Sequence, residues 1–133
     1  MRQLPDFLSV DDVIELHRVA LERFGGSAGI RDTGLLESAI AMPQAGFGDR
    51  FLHETIPAMA AAYLYHLIQN HPFVDGNKRA ATMACLAFPE LNAYGCLMDD
   101  DEWIQLVFAI ARGEMTKEAA GEALDLRCHS LDG

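Results

Sequence analysis

The chain has 133 residues, of which 50% are hydrophobic and 23% charged, values typical of one folded domain (1–133) and not of a disordered chain. Its formal net charge of −10 argues against direct nucleic-acid binding, because such binding needs basic surface to displace phosphate counterions. A single nucleotide is still an acceptable ligand, since one phosphate needs only a few local donors.

The cysteines and the start of the chain are typical of a cytoplasmic protein. Cys85, Cys96 and Cys128 fit no zinc-binding spacing, and two of them lie in apolar contexts, where free cysteine behaves as a small hydrophobe. The first six residues contain no apolar signal core, and the longest apolar stretch, 56–68, is too short to span a bilayer. We therefore expect reduced cysteines and no membrane association.

Helical patterns dominate the first 42 residues. Ser9 is a predicted N-cap for a helix that ends before the glycine pair at 25–26. Asp32 or Thr33 can cap a short helix through Ala41.

Two apolar helices form the predicted centre of the fold. The segment 43–54 has no clear period and precedes the first of them, which covers about 55–70 and is apolar nearly all round. The second starts near Asn77 and runs to about Ala93. Pro89 should kink it or end it early, because proline cannot donate a backbone hydrogen bond.

The last third of the chain predicts two more helices. A short extended piece at 96–98 precedes acidic residues 99–101, which can cap a helix to about Arg112, and Thr116 can cap the last helix. The sequence therefore predicts a compact all-α domain in which two central apolar helices flank a short polar loop.

That loop contains groups suited to binding phosphate. Gly76 allows a turn or a close approach of ligand, and the amides from Gly76 through Arg79 lie at or beside a helix N-terminus, which favours anions. Lys78 and Arg79 place two positive charges in the first helical turn, where they oppose the helix dipole unless an anion lies between them. This otherwise unfavourable arrangement indicates a phosphate site.

Two further loop residues can perform chemistry. Asp75 supplies a hard oxygen ligand for magnesium, which proteins hold with one or two carboxylates plus phosphate oxygens and water. His71 can accept a proton near neutral pH and act as a general base. A structural interpretation stays open, in which His71 satisfies helix carbonyls, Asp75 caps a turn, and Lys78 and Arg79 point into solvent.

Other histidines are interpreted first as structural. His17 and His66 lie on apolar helices, and His66 has the stronger functional case because it lies one turn before the loop. His53 begins a pattern resembling a zinc-protease motif, but Pro57 stands where the second histidine would be.

The loop resembles the signature of the Fic/Doc superfamily, and its residues are His71-Pro72-Phe73-Val74-Asp75-Gly76-Asn77-Lys78-Arg79. Lys78 stands where AMP-transferring members carry glycine, which favours the Doc branch. The resemblance covers about residues 8–125 and includes Leu16-His17, Arg23-Phe24-Gly25-Gly26, Gly29-Ile30-Arg31-Asp32 and Gly34-Leu35-Leu36-Glu37-Ser38-Ala39.

The resemblance implies a helical enzyme that transfers the γ-phosphate of ATP to a protein hydroxyl with the help of Mg²⁺. It implies that His71 deprotonates the acceptor and that Asp75 binds the metal. It also implies a set of phosphate-binding residues, namely Gly76, Asn77, Lys78 and Arg79.

The same resemblance implies a biological role. The family target is a threonine of elongation factor Tu, whose modification blocks translation, and the usual partner is a Phd-like antitoxin. We therefore expect the toxin of a type II toxin–antitoxin system. The segment 43–54 lies where relatives place a flap that guides the acceptor chain.

Three positions depart from the family pattern. AMP-transferring members carry a second arginine where this chain has Thr82, so its absence favours phosphate transfer. Pro89 replaces an expected helix former, and Ala93 stands where relatives often carry glycine. Two alternatives stay open: transfer of AMP or another nucleotidyl group by the same loop, and a non-catalytic module that binds the antitoxin.

Overall fold

The computed structural model describes residues 4–132, and most of its regular structure is helical. Within that range the six α-helices are α1 (Val10–Phe24), α2 (Thr33–Ala41), α3 (Ile56–Asn70), α4 (Asn77–Leu91), α5 (Asp100–Ala111) and α6 (Lys117–Asp125). None of them is both long enough and apolar enough to cross a membrane. The first three residues, part of the segment expected to lack a signal core, lie outside the described range.

The helix starts expected from capping residues are confirmed. Five helices begin after a residue whose side chain accepts a hydrogen bond from a first-turn amide, which satisfies one of the otherwise unpaired helix donors. These capping residues are Ser9, Asp32, Thr55, Asp99 and Thr116. The helix α4 begins differently, and its start belongs to the candidate site.

The described part of the chain also contains four short strands, of which the sequence indicated only one, as an extended piece at 96–98. β1 (Gly46–Phe47) and β2 (Arg50–Phe51) form an antiparallel hairpin in the segment expected to be irregular. β3 (Tyr94–Cys96) pairs antiparallel with β4 (Cys128–Ser130), so the extended piece predicted at 96–98 begins two residues earlier. Strands of two or three residues are too short to show an alternating pattern.

The two central helices are confirmed as α3 and α4. They contain more buried residues than any other helix and pack against each other, and α3 also contacts α2, α5 and α6. Three consecutive alanines of α3, Ala60 to Ala62, are fully buried. Small side chains at these positions let neighbouring helices approach closely, so the core is centred on α3.

The expectation that the cysteines stay reduced is wrong for two of them. Cys96 and Cys128 occupy directly opposite positions in the β3–β4 ladder, and their sulfur atoms form a disulfide. The sequence could not show this because the two residues are 32 positions apart and only the strand pairing brings them together. Cys85 is free and buried in α4.

Pro89 does not end α4 at its own position, although the helix stops two residues short of the expected Ala93. Pro89 is accommodated within the helix, which stops two residues later at Leu91. The Asn92 side chain donates hydrogen bonds to the carbonyl oxygens of Phe88 (2.9 Å) and Asp6 (3.0 Å). Asn92 therefore closes the helix and fastens the N-terminal segment to it.

Ala93 provides a test of backbone strain. It has a φ of 61°, a left-handed conformation that costs an alanine about 1–2 kcal/mol because Cβ approaches a carbonyl oxygen. We expect Ala93→Gly to raise the free energy of unfolding by up to about 1 kcal/mol after the entropy of unfolded glycine is subtracted. Urea denaturation measures the change. Ala109→Gly within α5 is the control and should lower stability by about 0.5–1 kcal/mol; a decrease in both variants would contradict the strain.

Candidate active site

The loop between α3 and α4 borders a cavity of about 730 Å³. One wall of the cavity is polar and contains every site residue expected from the sequence, namely His71, Asp75, Gly76, Asn77, Lys78 and Arg79. The remaining wall is mainly apolar and comes from the end of α1, from α4 and from α5, including Phe24, Met83, Leu86, Trp103, Ile104 and Phe108. A ligand with several negative charges at one end and an apolar group at the other would match the polar and the apolar wall.

His71 ends α3 in an unusual backbone conformation. It has φ 49° and ψ 55°, the left-handed region that non-glycine residues avoid. The Arg31 guanidinium donates to the carbonyl oxygens of His71 (2.7 Å) and Asn70 (2.9 Å), and the Arg31 and Asp32 amides donate to the Pro72 carbonyl. These bonds hold the strained turn in place and leave the exposed His71 imidazole beside the cavity.

The Asp75 carboxylate is held by two backbone amides. The Ser27 amide donates to Oδ2 (3.0 Å) and the Gly76 amide donates to Oδ1 (2.9 Å). These hydrogen bonds, that of Ser27 first, hold the pKa of Asp75 below its ordinary value and keep the carboxylate ionised. Gly26 has a φ of 120°, which residues with a side chain rarely adopt, and a Cβ added there would lie 2.8 Å from Oδ2 and displace the carboxylate.

The start of α4 offers backbone amides to a ligand. Within residues 4–132 no side chain caps this helix, whose N-cap is Gly76 in a left-handed conformation (φ 76°). The Asn77 side chain is engaged elsewhere, since it donates to the Phe73 carbonyl (3.0 Å) and accepts from the Phe73 amide (2.9 Å). Asn77 therefore braces the loop with its side chain and offers only its backbone to an anion.

The two cations of the loop lie over aromatic rings. Arg79 lies 3.9 Å from the Phe24 ring centroid, and the Lys78 ammonium lies 5.9 Å from that of Phe108. Neither forms an ion pair with a carboxylate in the part of the chain described. The Thr82 hydroxyl donates to the Lys78 carbonyl (2.8 Å), so this position holds a neutral group turned onto its own helix.

Sequence reasoning assigned no role to the residues that hold the loop from behind, although Arg31 lies in a segment that resembles the family. Ser27 and Arg31 lie 48 and 40 residues before their partners Asp75 and His71, so no local spacing connects them. The available signal was the pair of glycines at 25–26, which indicated the end of a helix. The structure shows that the second of these glycines lies beside the Asp75 carboxylate.

His66 lies away from this cavity. Its Nε2 is 3.2 Å from the Lys117 ammonium of α6, and burial, followed by the positive charge of Lys117, lowers its pKa to about 4. The ring therefore accepts a hydrogen bond in its neutral form. His66 lies on the side of α3 that faces α6, and this position agrees with a structural role.

This neutral histidine predicts acid sensitivity. The folded pKa of His66 (about 4) is below its ordinary value of 6.5, so between these pH values the unfolded chain binds a proton that the folded chain excludes. We expect the free energy of unfolding to decrease as pH falls from 6.5 towards 4, and to decrease less in His66→Gln. Urea denaturation at several pH values measures both slopes. His129→Gln, at an exposed position, is the control; equal slopes for wild type and His66→Gln would contradict the prediction.

Comparison with known proteins places this site within a family pattern. The model of the Fic/DOC family matches residues 7–89, which include the whole loop. The chain is 37% identical over 98 residues to "Toxin Doc" of Mycolicibacterium smegmatis, covering 74% of this chain and 73% of that protein. It is 31% identical over 120 residues to "Protein kinase doc" of Escherichia phage P1, covering 88% of this chain and 91% of that protein.

Proposed function

This chain belongs to the Fic/DOC family, and we propose that it is a toxin that transfers the γ-phosphate of ATP to a hydroxyl group of a target protein. One observation carries the proposal: Lys78 and Arg79, without carboxylate partners in residues 4–132, border a cavity at a helix start that no side chain caps. Free amides and two cations together favour a polyanion such as a triphosphate. The name of the phage P1 relative, a protein kinase, supports this choice.

ATP would bind with its phosphates at the start of α4. The backbone amide of Asn77 and the cations of Lys78 and Arg79 would surround the phosphate oxygens. Gly76 would line the same site, while its own amide donates to the Asp75 carboxylate. The nucleoside would lie against the apolar wall formed by α4 and α5, because an aromatic base gains most from burial there.

Magnesium fits this donor set. No three His, Cys, Asp or Glu side chains cluster as a metal site in residues 4–132, and Asp75 is the carboxylate that the loop places at the cavity. Magnesium bound to ATP needs only one or two carboxylates, since phosphate oxygens and water complete its shell. When bound, the ion would neutralise charge on the transferred phosphate.

His71 would act as the general base. It would accept the proton of the acceptor hydroxyl, whose oxygen would then form a bond to the γ-phosphorus. The bond from that phosphorus to the β,γ-bridging oxygen would break, and ADP would leave. Lys78 and Arg79 would stabilise the charge on the transferred group.

We propose a threonine of elongation factor Tu as the acceptor and a Phd-like antitoxin as the cytoplasmic partner. The toxin name of the M. smegmatis relative supports an antitoxin partner. The β1–β2 hairpin is the candidate contact for the acceptor, because Phe47 on it is 92% exposed and could pack against another chain.

The proposal is tested by incubating the purified protein with Mg²⁺, elongation factor Tu and ATP labelled at either the γ- or the α-phosphate. We expect label on the acceptor from γ-labelled ATP only. Label from the α-phosphate would instead establish nucleotidyl transfer. A chain that labels no protein and is harmless when expressed alone would support the non-catalytic antitoxin-binding module.

A further inference from the structure

His17 of α1 lies directly behind the phosphate-binding loop. Its side chain is buried, with 5% of the residue exposed. Its ring stacks on the Phe73 ring with centroids 3.8 Å apart and planes 5° apart, and its Nε2 lies 2.8 Å from the Asp75 carbonyl oxygen. A Cβ added at Gly76 would lie 3.6 Å from the same ring. One imidazole thus contacts two residues of the loop, Phe73 and Asp75, and lies beside a third, Gly76.

The hydrogen bond to Asp75 defines the proton position on His17. A carbonyl oxygen can only accept, so the Nε2 atom must carry the hydrogen and donate it. The bond joins a helix to a loop carbonyl, and this position lies outside regular secondary structure. A hydrocarbon side chain could fill the volume of His17, but it would leave that carbonyl without this donor.

The accepted bond fixes the peptide between Asp75 and Gly76. The carbonyl of this peptide points to His17, and its amide donates to the Asp75 carboxylate (2.9 Å). Rotation of the peptide would break both bonds together. It would also displace Gly76, the N-cap that starts α4 and lies beside the proposed phosphates.

We infer that His17 is a positioning residue that sets the orientation of the Asp75 carboxylate and the start of α4 through the Asp75–Gly76 peptide. This inference rests on the proposed function, because the orientation of Asp75 and of the start of α4 matters only if they bind magnesium and nucleotide. His17 itself lies behind the loop, is absent from the cavity wall and touches no reacting atom.

The test compares two substitutions. His17→Gln retains an N–H donor near the position of Nε2, whereas His17→Met keeps an apolar side chain of similar length without a donor. In the ligand-free chain, we expect hydrogen exchange of the Gly76 amide to be about tenfold faster in the Met variant and close to wild type in the Gln variant. Should the Met variant not fold, His17→Asn, whose shorter amide does not reach the carbonyl, takes its place.

A second measurement shows whether the effect passes through Asp75. We expect His17→Met to weaken Mg²⁺-dependent binding of ADP about tenfold in the wild-type background, and to have little further effect in Asp75→Asn. The inference would be overturned if His17→Gln and His17→Met weakened ADP binding equally. It would also be overturned if His17→Met weakened ADP binding equally in the wild-type and Asp75→Asn backgrounds, and His17 would then be a packing residue. Because exchange is measured without nucleotide, it still tests His17 if the wild type transfers no phosphate.

Discussion

Replacing His71 with alanine is expected to slow phosphate transfer by about 10²–10⁴-fold while changing nucleotide affinity little. The imidazole would accept the proton of the acceptor hydroxyl, whereas the α4 amides and the two cations would bind the phosphates. The two functions are therefore carried by different groups of the same loop. Single-turnover transfer and equilibrium binding of ATP measure them separately.

The backbone of His71 calls for a second variant. Its left-handed conformation strains alanine, whereas asparagine tolerates that region more readily. His71→Asn should therefore lose transfer as His71→Ala does, with less effect on stability. His129→Ala, at an exposed position in β4, is the matched control and should transfer normally. Transfer that persists in both His71 variants would exclude this residue as the base.

Truncating Phe88 to alanine is expected to lower the free energy of unfolding by about 3–5 kcal/mol. Phe88 is fully buried, and its ring lies 5.2 Å from that of Tyr63 in α3 and 5.7 Å from that of Phe7 in the N-terminal segment. Removal of the ring would leave a cavity where three parts of the chain meet. Domains of this size have total stabilities of about 5–15 kcal/mol, so much of the variant could be unfolded at 37 °C.

Chemical denaturation of Phe88→Ala measures this loss, and two further variants show that it depends on burial. Phe88→Leu fills much of the cavity and should lose less stability. Phe47→Ala, at a position 92% exposed, should change stability by less than about 0.5 kcal/mol. Similar losses in Phe47→Ala and Phe88→Ala would contradict the assignment of the core.

Elements that depend on local interactions could be predicted from the sequence. Each capped helix start needs one polar side chain and an amide three residues further on, as with Ser9 and the Asp12 amide (3.1 Å). The candidate site was predictable for the same reason, because nine consecutive residues contain the proposed base, the proposed metal ligand and both cations. Two cations at a helix start also gave an electrostatic reason to expect an anion.

Features that depend on distant parts of the chain could not be predicted. His17 and Asp75 are separated by 58 residues, so an apolar helical pattern identified His17 only as a buried position. The disulfide depends in the same way on the register that places Cys96 opposite Cys128. Tertiary packing determines both contacts, and neither leaves a periodic signal in the sequence.

The intact mass of elongation factor Tu after incubation with this protein, ATP and Mg²⁺ tests the proposed phosphate transfer most directly. We predict that the factor gains one phosphoryl group, that fragmentation assigns it to a threonine hydroxyl, and that the gain is absent with His71→Asn. A gain of one adenylyl group, or an unchanged mass while the protein binds ATP and Mg²⁺, would contradict transfer of the γ-phosphate to this target.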